Sequence, residues 1–388
     1  MQRITQSPTD PGFVQNPYRF YDQARAMGDL VWWEDYAMPV ATTHRAVMAI
    51  LKDRQMGRAP LDPPQTPQHL APFYAIEAHS MLELEPPRHT RLRGLVLRAF
   101  TSRRIATLAP EIEALCHRLI DRFPDAPFDL LPAYAQHVPV TIIARLLGVP
   151  ESMADQLLDW SNAMVAMYQA RRDRAVEEAA AAAATDFSAF LQEYVAARRS
   201  KPADDLITHL IAAEEDGTRL STDELITTCI LLLNAGHEAT VHSLGNGVKA
   251  VLESPGEMLA ARSEDLAEEV LRFDPPLHMF TRTVYEDTEV FSHRLKRGDT
   301  VGALLGAANR DPAVWDAPGR FDPGRQVGMH AGFGAGLHFC VGAPLARLEL
   351  AIGLRTLFAR CPALALSSEP HYANLYHFHG LRELMVTR

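Results

Sequence analysis

Residues 222–253, from Asp223-Glu224-Leu225-Ile226 onward, carry apolar side chains at helical spacing and predict one long helix. Gly236, Gly245 and Gly247 lie in its interior. Each costs about 1 kcal/mol relative to Ala, a cost that invites a reason. The chain before it has the same helical character. Segments 110–123, 138–148, 151–169, 173–199 and 204–213 all follow the helical period. The alanine run at 179–184 reads as strong helix propensity, not disorder.

The flanks differ. Val40–Thr43 reads as a strand end, followed by a helix over His44–Lys52 with Thr43 as its N-cap. Residues 58–76 hold five prolines and read as a long irregular loop. Residues 284–303 read as short strands and turns, 312–336 as Pro/Gly-rich coil, and about 341–359 as a last helix. Without repeat or linker, residues 1–388 read as a single mostly α (α+β) domain with small β-sheets.

Bulk properties narrow the function. The formal net charge is −10, which gives no overall basic footprint for nucleic acid. Cys116, Cys229, Cys340 and Cys361 are scattered with no CxxC pair, which argues against a disulfide framework or zinc ribbon and for a reducing cytoplasm. Met1–Arg25 has no apolar signal core, and no run of about 18–20 apolar residues occurs. The expectation is a cytoplasmic protein that neither is secreted nor enters a membrane.

The most informative segment is Phe333-Gly334-Ala335-Gly336-Leu337-His338-Phe339-Cys340-Val341-Gly342. Gly334 and Gly336 permit positive φ and a tight turn. An amphipathic helix is expected directly after Cys340, with Leu345, Leu348, Ala351, Ile352 and Leu354 on its apolar side. Its dipole and unpaired N–H groups favour a thiolate, and loop amides can tune a bound metal. A cysteine seen alone is usually a small hydrophobe; the spacing F-G-x-G-x-H-x-C-x-G sets this one apart. It resembles the cysteine-ligand signature of the cytochrome P450 superfamily.

The resemblance covers nearly the whole chain, including the soluble bacterial class. It implies a long central helix over haem b, with Cys340 as thiolate ligand of the iron. Glu269-Val270-Leu271-Arg272, followed by Phe273-Asp274-Pro275-Pro276, looks like the family's ExxR helix. Pro318-Gly319-Arg320-Phe321 resembles the segment that supplies the third charge, so Glu269, Arg272 and Arg320 are expected to brace the cysteine loop. His89, Arg93, Arg282 and His338 match positions that hold the haem propionates, which need cationic or donor partners.

Ala235-Gly236-His237-Glu238-Ala239-Thr240 resembles the oxygen-activating segment. Gly236 would face the haem, and Glu238 matches the acid that relays protons. The next position is usually Thr; here it is Ala239, and Thr240 follows. Thr240 takes over through a local distortion, a substrate hydroxyl or ordered water fills the gap, or oxygen activation leaks peroxide. By family position the substrate pocket is expected to include Leu231 to Ala235 (Asn234 among them), Ala239 and Leu277 to Phe280. It should also include Phe73, Tyr74, Met164, Met167 and the turn at His377–Phe378. Asn234 and His278 are its polar members.

The resemblance implies a monooxygenase that inserts one atom of O2 into a small, mainly hydrophobic substrate. The chain has no flavin or nicotinamide fingerprint, so a separate ferredoxin and its reductase are expected to bring electrons. Arg88, Arg91, Arg98, Arg103, Arg104 and Arg347 are candidates for the docking face. Two other classes stay open, a peroxide-driven haem-thiolate enzyme and a non-catalytic haem-binding sensor.

Overall fold

Local signals place several helix starts. Thr43 accepts a hydrogen bond from the Ala46 N–H and caps His44–Lys52. Asp173 caps Arg174–Ser200 through the Val176 N–H, and Asp205 caps Leu206–Ala212 through the Thr208 N–H. Gly148, with φ +83°, ends His137–Leu147. In the computed structural model of the chain, which describes residues 1–62, 65–168, 172–215, 218–254, 262–376 and 378–388, helices dominate and strands are short. Residues cluster into two compact units: one of 1–61, 113–135 and 239–388, the other of 62–112 and 136–238.

The first unit holds a six-stranded sheet. Its strands are β1 (Arg3–Ile4), β2 (Leu30–Trp33), β3 (Met38–Ala41), β4 (Met56–Gly57), β5 (Met279–Val284) and β6 (Thr300–Leu304), in the order β1-β2-β3-β6-β5-β4. β6 pairs parallel to β3, Gly302 opposite Val40, and antiparallel to β5, Val301 opposite Arg282. Gly302 is needed there, because a Cβ would lie 2.8 Å from Val40 Cγ1. A second sheet joins Phe128–Asp129, Met385–Thr387 and Ala365–Leu366. The aromatic core around Phe13, Phe20, Tyr21, Trp33 and Tyr376 packs under the first sheet.

The second unit is almost entirely helical. Arg174–Ser200 lies on Ala154–Val165, with Trp160 stacked on Phe187 at 5.2 Å between ring centroids. Asp205 also pairs with Arg198, whose Nη2 donates to Gly148 O at 3.1 Å, so one cluster closes two helix ends. The expected loop over 58–76 is only partly a loop: Gln68–Leu70 forms a 3-10 turn and Ala71–Glu77 a helix. Pro72 sits in the first turn of that helix, where its missing N–H costs nothing.

The long helix runs over Thr222–Glu253 as its pattern predicts. Its glycines are explained by close packing. A Cβ on Gly236 would lie 2.7 Å from Ile143 Cδ1, one on Gly245 2.9 Å from Leu131 Cδ2, and one on Gly247 3.1 Å from Val270 Cγ2. The last helix spans Ala343–Arg360. It is not amphipathic as expected: Leu350, Ala351, Ile352, Gly353 and Leu354 are consecutive and all buried, so more than one face is covered.

Candidate functional site

Cys340 lies on a loop held by its own backbone. Its N–H donates to Phe333 O at 3.0 Å. Gly334 and Gly336 have φ of +68° and +71°. At Gly336 the need is double, since a Cβ would fall 2.5 Å from Leu51 O at the end of helix His44–Lys52. Helix Ala343–Arg360 begins with Gly342 as its cap. Cys340 is thus two residues before the cap, in the approach to the helix and not in its first turn.

Exposure separates this cysteine from the other three. Cys116, Cys229 and Cys361 are buried, while Cys340 is partly exposed. Burial pushes the Cys116 thiol up to about 11 and the Cys229 thiol up to about 12, and raises that of Cys361. None of these suits a thiolate. A part-exposed sulfur on a glycine-built loop before a helix does.

A buried ion pair braces this loop from helix Ser263–Phe273. Arg272 Nε and Nη2 donate to the two oxygens of Glu269 at 2.6 and 2.7 Å, with both side chains fully buried. Arg272 also donates to the carbonyls of Asn309 and Pro318, at 2.9 Å each. Asn309 in turn accepts from the Ala331 N–H at 2.6 Å, just before the cysteine loop.

A further guanidinium, that of Arg325, lies beside this pair. Arg325 Nε lies 3.6 Å from Glu269 Oε1, and the Asp322 N–H donates to that same oxygen at 2.8 Å. Arg320 contributes its carbonyl to Arg272 Nη2 at 3.2 Å. Pro-Gly-Arg occurs twice, at 318–320 and 323–325. Glu268 carries no motif that would single it out in the sequence. It pairs with Arg347 and, at 3.2 Å, with His330, tying helix Ser263–Phe273 to helix Ala343–Arg360. Burial raises its pKa, but His330 and Arg347 outweigh that and bring it down to about 2.

The predicted propionate partners are divided between the units. Arg282, on β5, is 3% exposed, and its Nη1 donates to Thr281 O at 2.8 Å. His338 is half-buried in the 3-10 turn Gly336–His338. The ring of Phe280, two residues before Arg282, comes within 3.3 Å of where a Gly334 Cβ would be. The first unit therefore brings Arg282, His338 and Cys340 to one loop–strand region. In the second unit His89, 1% exposed, and Arg93 share one face of helix Arg88–Ala99.

Along the long helix a stripe is left uncovered: Leu231, Ala235, Glu238, Ala239 and His242 are half-buried or exposed among mostly buried neighbours. Glu238 is on this stripe, its Oε2 3.7 Å from His237 Nδ1. Thr240 is 3% exposed. Ser243 Oγ donates to Ala239 O at 2.8 Å, so the helix bond beside Ala239 is shared with a side chain. Asn234 is buried and donates to Met164 Sδ at 3.7 Å.

The other expected pocket residues fall into two groups. Leu277 and Phe280 are half-buried, and Leu277 pairs with Phe378 through an isolated bridge. Phe73, Met164 and Met167 are buried and Tyr74 half-buried. His377 lies outside the described residues. His278 is the second polar residue expected in the pocket. It is fully buried, its Nδ1 2.8 Å from Tyr21 Oη and its ring 4.3 Å from that of His379, inside a polar cluster of the first unit.

The arginines proposed for docking are largely engaged. Arg91 pairs with Glu224, Arg104 with Asp204 at 2.7 Å, and Arg347 with Glu268. Arg88 donates to His79 Nδ1 at 3.3 Å.

The donor set is chemically specific. A part-exposed thiol suits a soft iron ligand, and buried cationic or imidazole groups suit two carboxylates taken out of water. That combination is what haem b requires. The family model for Cytochrome P450 matches residues 264–370, which contain the ion-pair helix and the cysteine loop. A Saccharopolyspora erythraea protein, cytochrome P450 107B1, is 41% identical over 75% of this chain and 72% of its own. The biotin biosynthesis cytochrome P450 of Bacillus subtilis is 34% identical over 99% of each. The crystal structure of P450BioI in complex with hexadec-9Z-enoic acid ligated acyl carrier protein is 32% identical. It superposes with a TM-score of 0.91 over 98% of this chain and 100% of that one.

The fold and the cysteine loop define a haem-thiolate monooxygenase. The chain belongs to the cytochrome P450 family. Its cofactor is haem b with Cys340 as the thiolate ligand. Among the described residues no helix is long and apolar enough to cross a membrane.

Proposed function

We propose that residues 1–388 act as one catalytic domain that inserts one atom of O2 into a small hydrophobic substrate. Electrons come from a separate ferredoxin and ferredoxin reductase. The observation that carries this reading is the glycine-built loop that presents a part-exposed Cys340 before a helix. The bound haem supplies oxygen activation, and donation from the thiolate, a general property of the family, favours O–O cleavage. Cys340 holds the iron. His89, Arg93, Arg282 and His338 hold the propionates. Glu238 moves protons in from solvent, a role consistent with its partial exposure and its neighbour His237. Leu231, Ala235, Ala239, Leu277 and Phe280 present apolar surface, as ligand pockets do. Asn234 is the polar group placed to orient a substrate.

Ala239 has only a methyl group where the family usually has Thr. Thr240, buried on the next turn position, or a hydroxyl of the substrate itself supplies the missing proton donor. The related structure with a fatty acyl chain on a carrier protein makes long apolar acyl chains the first class to screen by spectral shift.

The reduced protein with carbon monoxide should show the Soret shift of thiolate-ligated haem, and Cys340→Ala should lose it. NAD(P)H consumption with a surrogate ferredoxin and reductase should yield product. Activity with peroxide alone would favour the peroxide-driven reading, and no turnover by either route the sensor. Thr240→Ala should lower the ratio of product to NAD(P)H consumed. An unchanged ratio removes Thr240 from the mechanism and leaves the substrate hydroxyl or water.

A further inference from the structure

The end of helix Ser263–Phe273, the segment leading into β5 and the C-terminal segment meet in the first unit. Their meeting point is polar and dry. Asp274, His278 and His379 are 5%, 0% and 3% exposed. One ligand atom from each lies within 4.8 Å of the other two. Asp274 Oδ1 is 3.4 Å from His379 Nε2 and 4.0 Å from His278 Nε2. His278 Nε2 is buried with no hydrogen-bond partner. Leaving such an atom unsatisfied costs about 1–3 kcal/mol, so it calls for an occupant between the two imidazoles and the carboxylate.

We propose that Asp274, His278 and His379 form a structural binding site for a divalent first-row metal ion, zinc in the first place, separate from the haem iron.

The surroundings have the form of a metal site's outer shell. Tyr21 Oη meets His278 Nδ1 at 2.8 Å and Tyr376 Oη at 3.0 Å, which orients the ring with Nε2 toward Asp274. Tyr18 Oη donates to Asp274 Oδ1 at 2.7 Å, and Tyr372 Oη donates to Oδ2. The Tyr372 ring stacks on His379 at 3.8 Å between centroids.

Zinc–nitrogen and zinc–oxygen bonds of about 2.0–2.2 Å in a tetrahedron put ligand atoms roughly 3.3–3.5 Å apart. The Asp274–His379 pair is already at that spacing, and the remaining closure is within side-chain reach. A water or the second carboxylate oxygen completes the coordination. Two cations stand nearby. Arg310 lies 3.3 Å from the centroid of the Tyr18 ring, and Lys249 5.4 Å from that of Tyr372. They oppose a divalent ion electrostatically. Covalent preference for two imidazoles must therefore hold it, which selects zinc over magnesium or calcium.

The test uses purified holoenzyme, treated with a chelator, given a small excess of zinc chloride and desalted. Zinc and iron are then counted separately. One zinc per haem iron is expected, with a rise in thermal midpoint over the chelated protein. Tyr21→Phe keeps the ligands and removes the outer hydrogen bond; it should weaken zinc binding about 10–100-fold. His379→Gln should abolish both the retained zinc and the midpoint shift while the haem spectrum stays. Zinc no higher than in the chelated control, or equal zinc in wild type and His379→Gln, overturns the proposal and assigns the space to an ordered water. Because haem content and the carbon monoxide spectrum are read in the same samples, failure here is distinct from failure of the catalytic reading.

Discussion

Single side chains carry unequal loads around the cysteine loop. Arg272 and Glu269 are both fully buried, so removing one leaves an uncompensated charge. Arg272→Leu should cost about 3–5 kcal/mol, read as a lowered urea midpoint followed through the Soret band. Arg325→Ala removes a guanidinium 3.6 Å from Glu269 Oε1 but leaves the Arg272 pair in place, so it should cost less. An Arg325→Ala midpoint as low as that of Arg272→Leu would contradict that order.

Between elements, close approach and charge set the packing. Gly236→Ala gains helix propensity but drives a methyl to 2.7 Å from Ile143 Cδ1. Because Cδ1 is the free end of a side chain that can turn aside, the clash and the propensity gain should nearly offset, leaving a net change within about 1 kcal/mol, and the double variant with Ile143→Val should be the more stable of the two. Denaturant unfolding of the four proteins measures it, and strict additivity would mean the two side chains do not meet. Glu268 joins two helices through Arg347 and His330. Its folded pKa of about 2 lies below that of an unfolded Glu. Its contribution is therefore complete above pH about 4.3 and disappears as the pH falls toward about 2. Glu268→Gln should be less stable than wild type at neutral pH, and the two acid-unfolding curves should converge at the low end.

At the scale of the whole molecule, both units are discontinuous in sequence. β6 pairs with β3 from the start of the chain, and Met385–Thr387 pairs with Phe128–Asp129. Such distant pairings delay the reward for loop closure. A fragment of residues 239–388 should accordingly fail to fold: its far-UV circular dichroism should lack a cooperative thermal transition. A cooperative transition in that fragment would show that the missing strands are dispensable.

Helix positions were legible from the sequence because periodicity, caps and glycines act over a few residues. Thr222–Glu253 and His44–Lys52 formed where their patterns put them. The haem-thiolate chemistry was legible too, since the glycines and Cys340 lie in one short loop whose turn geometry is local. Pro72 hid a helix, because proline reads as a breaker unless its place in the first turn is known. Where His278 turns and what Gly236 packs against depend on partners far along the chain. The residues alone determined that a cysteine would hold the iron. Only the folded chain decided which further groups gather round that brace, such as Asn309 and Arg325, because contacts between distant residues do not show in a local pattern.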